Sequence, residues 1–212
     1  MADLVVIGAG KFAVEVSAYL DDARAAGAGG PRIATYLTIA DEEVHVPSQR
    51  CVPLDGFTFS EDTEVIVAVS DIALRRKLFR DVVEKYGLRA ANVIHPGSTY
   101  ASARIEGTGN IIGPSCYLGA DVVIGDCNVL NYHCTIGHHS RIGSNNFFAP
   151  NFHCGNSVEI GHDNFFGLSC TIVPEIRVGD HGSFQAGLTL FDNPESHHSY
   201  FVPTRMKSLK LP

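Results

Sequence analysis

An apolar residue recurs at every sixth position through the second half of this chain of 212 residues. The positions are Ile94, Tyr100, Glu106, Ile112, Leu118, Ile124, Leu130, Ile136, Ile142, Phe148, Cys154, Ile160, Phe166, Ile172, Val178, Phe184 and Leu190. Only Glu106 breaks the pattern, and a slip of one residue would give its place to Ile105. Helices repeat every 3.6 residues and ordinary strands every two, so a period of six predicts a repeat architecture instead.

The residue after the apolar position is often glycine, at positions 113, 119, 125, 137, 143, 155, 161, 167 and 179. We expect each hexapeptide to form a short strand and a bend, with three hexapeptides closing a turn of 18 residues and glycine relieving crowding. Turns would stack ~4.8 Å apart, placing Phe148 beside Phe166, and Cys116 beside Cys134. The period predicts a parallel β-helix of five to six turns.

The composition limits the class of partner. With 45% hydrophobic and 18% charged residues, the chain is typical of a soluble globular protein. Its net charge of −7 lacks the basic excess that phosphate binding requires, so we expect no nucleic-acid partner. No apolar run approaches the ~20 residues of a membrane span, and the start Met1-Ala2-Asp3 lacks the basic region of a signal peptide.

The six cysteines fit the repeat better than a disulfide framework. Cys116, Cys134 and Cys170 fall four places after the apolar position, where small residues recur, and Cys154 takes an apolar position itself. We therefore expect buried thiols that fill space. No C-x-x-C pair is present, which argues against a zinc knuckle, and a reducing, cytoplasmic setting is predicted.

Before the repeat, strand and helix signals alternate. Apolar runs predict strands at 3–7, 33–37 and 64–69, and amphipathic patterns predict helices at 13–25 and 72–86. This order forms a βαβ unit, so we predict an α/β Rossmann-like domain over residues 1–91 and a β-helix domain with a C-terminal tail over 92–212. The polar stretch from Asp192 to Tyr200 has no assignment.

The first strand ends in a glycine-rich turn, Gly8-x-Gly10-x-x-Ala13. Such a turn lets a phosphate approach the N-terminus of the following helix. No acidic residue closes the second strand, since Leu37 is followed by Thr38, and this argues against a dinucleotide. A nucleotide or nucleotide sugar, or a tight turn without a ligand, both stay open.

Histidine is concentrated in the repeat, at His133, His138, His139, His153, His162, His181, His197 and His198. His138 follows Ile136-Gly137, so we expect it at a corner, pointing outward. An imidazole with a near-neutral pKa can take a proton from an alcohol or an ammonium group, as acyl transfer to such a group requires. The alternative is that these histidines are merely surface residues at corners.

The chain resembles the two-domain hexapeptide acetyltransferases that modify amino sugars on nucleotide carriers, or sialic acid. The resemblance rests on the glycine-rich βαβ domain, His95-Pro96-Gly97, the run from Cys134 to Gly143, and Val202-Pro203-Thr204-Arg205. It implies a left-handed β-helix, a homotrimer, a sugar or nucleotide-sugar acceptor and acetyl-CoA as acyl donor, with no metal.

The resemblance also implies residue roles. His138 would be the general base, and His139 lies where relatives often carry an acid. Acetyl-CoA would lie between two subunits near Phe147, Leu168 and Ala186. A backbone N–H near Gly155 and Asn156 would face the thioester oxyanion. The sugar nucleotide would bind near Gly8, Gly10, Lys11, Phe12 and Ser70.

Three positions depart from the pattern of the relatives. Many relatives have histidine at the position of Phe147, Gly-His at Lys11-Phe12, and aspartate at Thr38. These departures concern the cofactor contact and the sugar-nucleotide pocket.

Two other functions stay open from the sequence. A zinc enzyme resembling gamma-class carbonic anhydrases would hold zinc with three histidines at a subunit interface. His133 and His138 have the separation that those enzymes use, but Gly97 stands where the third ligand would be needed. The other is a non-catalytic trimeric scaffold or nucleotide sensor.

Overall fold

The computed structural model describes residues 3–60 and 62–203 and shows an N-terminal α/β unit followed by a β-helix. The N-terminal unit has five parallel strands, in the spatial order β3-β2-β1-β4-β5. They are Asp3–Ile7 (β1), Arg32–Thr38 (β2), Cys51–Pro53 (β3), Glu64–Val67 (β4) and Arg89–Ala90 (β5). A 3-10 turn at Ser48–Arg50 precedes β3.

Two helices cover opposite faces of this sheet. Helix α1 (Lys11–Ala25) begins two residues earlier than predicted, and it packs on the face that carries Leu4 and Val6. Helix α2 (Ile72–Leu78) continues as a π-helical segment, Phe79–Glu84, and packs on the face of Val5 and Ile7. The unit is therefore a parallel sheet between two helices.

No helix in the described ranges is long and apolar enough to cross a membrane.

The β-helix consists of two-residue strands in three parallel sheets, which form the sides of a prism. The docking face contains Val93–Ile94, Ile111–Ile112, Val129–Leu130, Phe147–Phe148, Phe165–Phe166, Ser183–Phe184 and Ser199–Tyr200. The threonine face contains Tyr117–Leu118, Thr135–Ile136, His153–Cys154, Thr171–Ile172 and Thr189–Leu190. The arginine face contains Arg104–Ile105, Val123–Ile124, Arg141–Ile142, Glu159–Ile160 and Arg177–Val178.

The register confirms the predicted 18-residue turn. Phe148 pairs with Phe166, and Phe166 with Phe184, and the three buried rings stack at centroid distances of 5.2 and 4.7 Å. Ile105 takes the place of Glu106, since it pairs with Ile124. Tyr100 was predicted to point inward, but it is 39% exposed, because the first turn is irregular and only an isolated bridge from Thr99 to Tyr117 forms there.

Glycine and the bends have separate causes. A Cβ added at Gly119 would lie 2.7 Å from the backbone nitrogen of His138 in the next turn, so glycine is required by the close approach of stacked turns. The left-handed conformation falls two residues later, on residues such as Asp121 (φ 57°), His139 (φ 61°) and Asn145 (φ 59°). Two residues beyond the glycine, the corner therefore carries a polar side chain, except after Gly125, where the buried Cys127 takes this place.

The N-terminal unit rests on the docking face. Val16 and Tyr19 of α1 belong to one buried apolar cluster with Val93, Ile111 and Val129 of that face. The predicted boundary between residues 91 and 92 falls between β5 and the strand Val93–Ile94.

The stretch from Asp192 to Tyr200 ends in a strand that the sequence did not predict. Ser199–Tyr200 pairs with Ser183–Phe184, and the Tyr200 ring stacks 5.2 Å from Phe184. Of the closing run noted in the sequence, Thr204 and Arg205 lie outside the described residues.

A buried asparagine ladder runs along one edge of the β-helix. The Asn128 side-chain oxygen accepts hydrogen bonds from the backbone and side-chain nitrogens of Asn146, each at 3.0 Å, and Asn146 accepts the same pair from Asn164 at 2.9 and 3.0 Å. Asn110 and Asn128 repeat the arrangement. The ladder joins successive turns with side-chain amides as well as backbone groups.

Replacing Asn146 with Ala leaves the Asn164 backbone N–H and the Gly161 carbonyl without their side-chain partners, and it removes one of the two Asn146 donors to Asn128. We expect the free energy of unfolding to fall by roughly 2–4 kcal/mol, measured by urea denaturation. Thr189→Ala, on the exposed surface of the same β-helix, serves as control. A change of a few tenths of a kcal/mol in Asn146→Ala would contradict the structural role of the ladder.

Candidate functional site

His138 and His139 lie at the histidine corner, where the threonine face turns into the arginine face. Both side chains are exposed. Their Nδ1 atoms are 2.8 Å apart, and the rings meet edge to face at 84°. Two such nitrogens can share only one proton, so one ring donates and the other accepts. Because the His138 side chain is exposed, its ring points outward, as the sequence predicted.

Asp121 extends this pair to a chain of three side chains. Its Oδ2 lies 3.6 Å from His139 Nε2. The carboxylate favours a proton on that nitrogen, which leaves His139 Nδ1 free to accept from His138. In that arrangement Nε2 of His138 carries a lone pair that faces solvent. The sequence analysis missed Asp121, although it precedes His139 by one full turn of 18 residues.

Gly155 and Asn156 lie one turn beyond Gly137 and His138 at the same corner. The Gly155 N–H donates to Ile172 O at 2.9 Å, so it belongs to the ladder between turns and is not available to a ligand. In the described residues, the Asn156 N–H has no such partner, whereas its carbonyl accepts from Glu175 N. Of the two predicted oxyanion donors, the structure therefore leaves Asn156.

Leu168 and Ala186 lie at a different edge, the leucine corner between the docking face and the threonine face. They occupy equivalent positions in successive turns, and Leu168 is 52% exposed. The whole width of the threonine face separates this corner from His138 in one chain. Four of the five predicted cofactor residues are thus split between two corners, with Gly155 and Asn156 at the histidine corner and Leu168 and Ala186 at the leucine corner.

Phe147 lies on the docking face, at the junction with the N-terminal unit. Its ring stacks against Phe165 at 5.5 Å and contacts Phe12 at 6.3 Å. Arg75 of α2 lies over the same ring, 5.9 Å from its centroid. Phe147, a predicted cofactor residue, and Phe12, a predicted substrate residue, therefore meet at this junction.

The glycine-rich turn is occupied by a side chain from elsewhere in the chain. Glu42 Oε1 accepts from the backbone nitrogens of Ala9 at 2.9 Å and Gly10 at 2.8 Å. The predicted approach of a phosphate to this turn is therefore blocked while Glu42 is in place, since two anions cannot share the same donors. Nothing in the local sequence links Glu42 to a turn 32 residues earlier.

The remaining predicted substrate residues surround this turn. Gly8 has φ 108°, and a Cβ there would meet Ala68 O at 2.9 Å, so the turn lies tightly against the end of β4. Lys11 is exposed on the first turn of α1, and Ser70 is exposed just after β4.

A cavity of about 920 Å³ opens between α2 and the β-helix. Ser70, Phe147 and Phe165 line it, and Arg76, Lys77 and Arg80 bring positive charge to its rim. On the opposite side, the buried Asp163 pairs with Arg76 at 2.6 Å. Lys77 and Arg80 both pair with Asp81, at 2.7 and 2.8 Å, so each cation at the rim already has a carboxylate partner. An aromatic floor with such a rim suits a ligand that carries a ring and an anionic group able to compete for these cations.

The cysteines are free thiols, and the four in the β-helix discussed above are buried. Burial raises the pKa of Cys154 to about 11, which keeps this thiol neutral and weakly nucleophilic at neutral pH. His133 lies at the leucine corner, away from His138, which separates the two ligands of the zinc hypothesis within one chain. No group of three His, Cys, Asp or Glu side chains in residues 3–60 and 62–203 could hold a metal ion.

Comparison with known proteins gives structural relatives. No family model matches the chain, and no curated protein matches it in sequence. The acetyltransferase domain of PglB from Neisseria gonorrhoeae FA1090 has a TM-score of 0.79 and 21% identity, over 94% of this chain and 96% of that chain. PerB from Caulobacter crescentus, solved with CoA and GDP-perosamine, has a TM-score of 0.79 and 24% identity over 98% of both chains.

WeeI from Acinetobacter baumannii AYE has a TM-score of 0.68 and 20% identity, over 89% of this chain and 96% of that chain. At these identities the likeness shows that the chain shares the fold of these proteins over nearly its whole length.

Replacing Glu42 with Ala frees the two amides at the start of α1. We expect the free energy of unfolding to fall by about 1–2 kcal/mol, as for loss of a helix cap, and the variant to bind inorganic phosphate more tightly than wild type. Thermal melts with and without phosphate measure both effects, and Glu43→Ala, on the neighbouring exposed residue, is the control. Equal phosphate stabilisation of all three proteins would show that Glu42 does not block the turn.

Proposed function

We propose that this protein is an acetyl-CoA-dependent acetyltransferase that acylates an amino or hydroxyl group of a sugar carried on a nucleotide. The observation that carries the proposal is the chain from Asp121 through His139 to His138, which leaves a basic nitrogen exposed at a corner of the β-helix. The shared fold with the PglB acetyltransferase domain and with PerB, solved with CoA and GDP-perosamine, supports the reaction class and the left-handed sense of the coil.

The proposed reaction is a direct transfer. Nε2 of His138 removes a proton from the acceptor amine or hydroxyl as the acceptor attacks the thioester carbonyl. A C–N or C–O bond forms, the C–S bond breaks with its electron pair on sulfur, and the imidazolium returns the proton to the thiolate. The Asn156 N–H donates to the oxyanion between these steps. Since the pKa of Cys154 is raised and the other coil thiols are buried, the scheme uses no cysteine nucleophile.

The proposed enzyme is a homotrimer, because one chain does not contain a whole site. His138 lies at one edge of the threonine face, and Leu168 and Ala186 lie at the other. A second copy that covered the threonine face would bring a histidine corner beside a leucine corner. Tyr117 and Tyr132, which are 51% and 40% exposed along that face, provide apolar surface for such a contact. Acetyl-CoA would lie in the seam, along Leu168 and Ala186.

The acceptor is assigned to the N-terminal unit, treated as a Rossmann-like domain. Its strand order changes direction between β1 and β4, and ligands of parallel sheets bind at such a switch point. Gly10, Phe12 and Ser70 lie there. Since Glu42 holds the amides of the turn, the phosphates of a nucleotide sugar would meet the basic rim formed by Arg76, Lys77 and Arg80. We also infer a cytoplasmic enzyme, because the cysteines are unpaired.

Replacing His138 with Ala should lower kcat by ~10²–10⁴, the usual contribution of a general base, with acetyl-CoA affinity unchanged. Thiol release from acetyl-CoA measures the rate, with GDP- and UDP-linked amino sugars, including GDP-perosamine, as acceptors. His198→Ala, an exposed histidine outside the proposed site, is the control. An unchanged rate in His138→Ala ends the assignment, and no transfer by wild type would favour the non-catalytic scaffold.

Replacing Asp121 with Asn should act only through the histidine pair. We expect kcat to fall by about 3- to 10-fold in the wild-type background and to stay constant in the His138→Ala background, since coupled residues give non-additive effects. A double-mutant cycle on the same assay checks this. Additive losses would place Asp121 outside the catalytic chain.

A further inference from the structure

Arg75 is the most deeply buried charged residue of residues 3–60 and 62–203, with 1% of its surface exposed. Burying a charge costs several kcal/mol unless its hydrogen bonds are fully satisfied. Burial lowers the pKa of Arg75 to about 10, which still leaves the guanidinium charged at neutral pH. Keeping the Arg75 cation buried despite this free-energy cost indicates a specific structural role.

All five N–H groups of Arg75 can be assigned to backbone carbonyls. Nη1 donates to Val69 O at 3.1 Å and to Ser70 O at 3.2 Å. Nη2 donates to Asn145 O at 3.1 Å and Asn146 O at 3.3 Å, and Nε donates to Cys127 O at 3.2 Å. The planar fork of arginine supplies five donors in fixed directions, whereas lysine supplies three.

These carbonyls belong to both structural units. Val69 and Ser70 form the turn between β4 and α2, whereas Cys127, Asn145 and Asn146 lie in two successive turns of the β-helix. One side chain thus joins the N-terminal unit to the coil at the point where Ser70 and Phe147 face the same cavity. The contact with the Phe147 ring adds a third attachment.

We propose that Arg75 is a positioning residue, which fixes the acceptor-binding turn at Ser70 relative to the β-helix, the unit that carries His138. The proposal rests on the acetyltransferase function proposed above. Direct transfer requires the reacting atoms to lie about 3–3.5 Å apart, and a displacement of about 1 Å can lower the rate by ~10². Two half-sites on separate units need a rigid connection of this kind.

The test compares Arg75→Lys and Arg75→Met with Val129→Ala. Val129 is buried at the same junction between the units, and its backbone N–H, which donates to Asn146 O at 2.9 Å, is kept in this variant. The substitution therefore weakens the junction but leaves in place the clamp, meaning the five hydrogen bonds of the Arg75 guanidinium. We expect Arg75→Lys to lose ~10²-fold in kcat at saturating substrates, with acetyl-CoA affinity unchanged in calorimetry. Val129→Ala should keep its kcat at a temperature where its folded fraction equals that of Arg75→Lys. Equal losses of kcat in Arg75→Lys and Val129→Ala would show that Arg75 only stabilises the fold.

Hydrogen exchange separates this proposal from the proposed function. Amides of residues 70–72 and 145–147 should exchange about tenfold faster in Arg75→Lys than in wild type, and their rates in Val129→Ala should stay near the wild-type values. This result does not depend on catalysis, so it tests the clamp even if wild type transfers no acetyl group. Unchanged exchange in Arg75→Lys would overturn the clamp.

If neither Arg75 variant folds, wild type alone still decides the question. The clamp predicts that residues 70–72 and 145–147 open together, with one common dependence of exchange on denaturant. Independent opening of the two segments would overturn the proposal.

Discussion

The close approach of successive β-helix turns governs the rest of the structure. Backbone hydrogen bonds between turns bring the glycine of one turn against the backbone of the next, and a Cβ at Gly119 would lie 2.7 Å from the His138 nitrogen. The interior of the described coil holds apolar side chains, thiols, the paired asparagine ladder and the Ser140 hydroxyl, which donates to Gly155 O. Titratable side chains are therefore found on the outside of the coil, either on the strand faces, as for Arg141 and Glu159, or at the corners, as for Asp121 and His139. A ligand or a second chain can reach them there.

The parts of the fold that repeat could be predicted from the sequence. The spacing of Ile, Phe and Gly gave the turn length, the phenylalanine stack and the replacement of Glu106 by Ile105, because each depends on residues 18 apart. The corner position of His138 followed from the same count. Asp121 was within reach of this reasoning, since it lies one turn before His139.

Contacts between distant segments could not be predicted in this way. Glu42 reaches the glycine-rich turn from the connection after β2, and Arg75 reaches carbonyls up to 71 residues away. The Glu42 contact depends on how the connection after β2 folds over the sheet, and the Arg75 contacts depend on how the two units pack. No period in the sequence records either. The inward position predicted for Tyr100 was wrong because the first turn is irregular, so the residue lies outside the regular register.

The strand Ser199–Tyr200 has a consequence for how the coil ends. An open β-helix exposes a terminal rung whose unpaired backbone groups could template the addition of another chain. Here the Tyr200 ring stacks on Phe184 and covers this ring at the end of the coil. The Tyr200 hydroxyl accepts a hydrogen bond from Glu195 N at 2.6 Å, which holds the preceding segment against the last turn. The final spacing, 16 residues from Ser183 to Ser199 instead of 18, takes the chain out of register. This segment thereby covers part of the last regular turn, which leaves less unpaired backbone there for another chain to pair with.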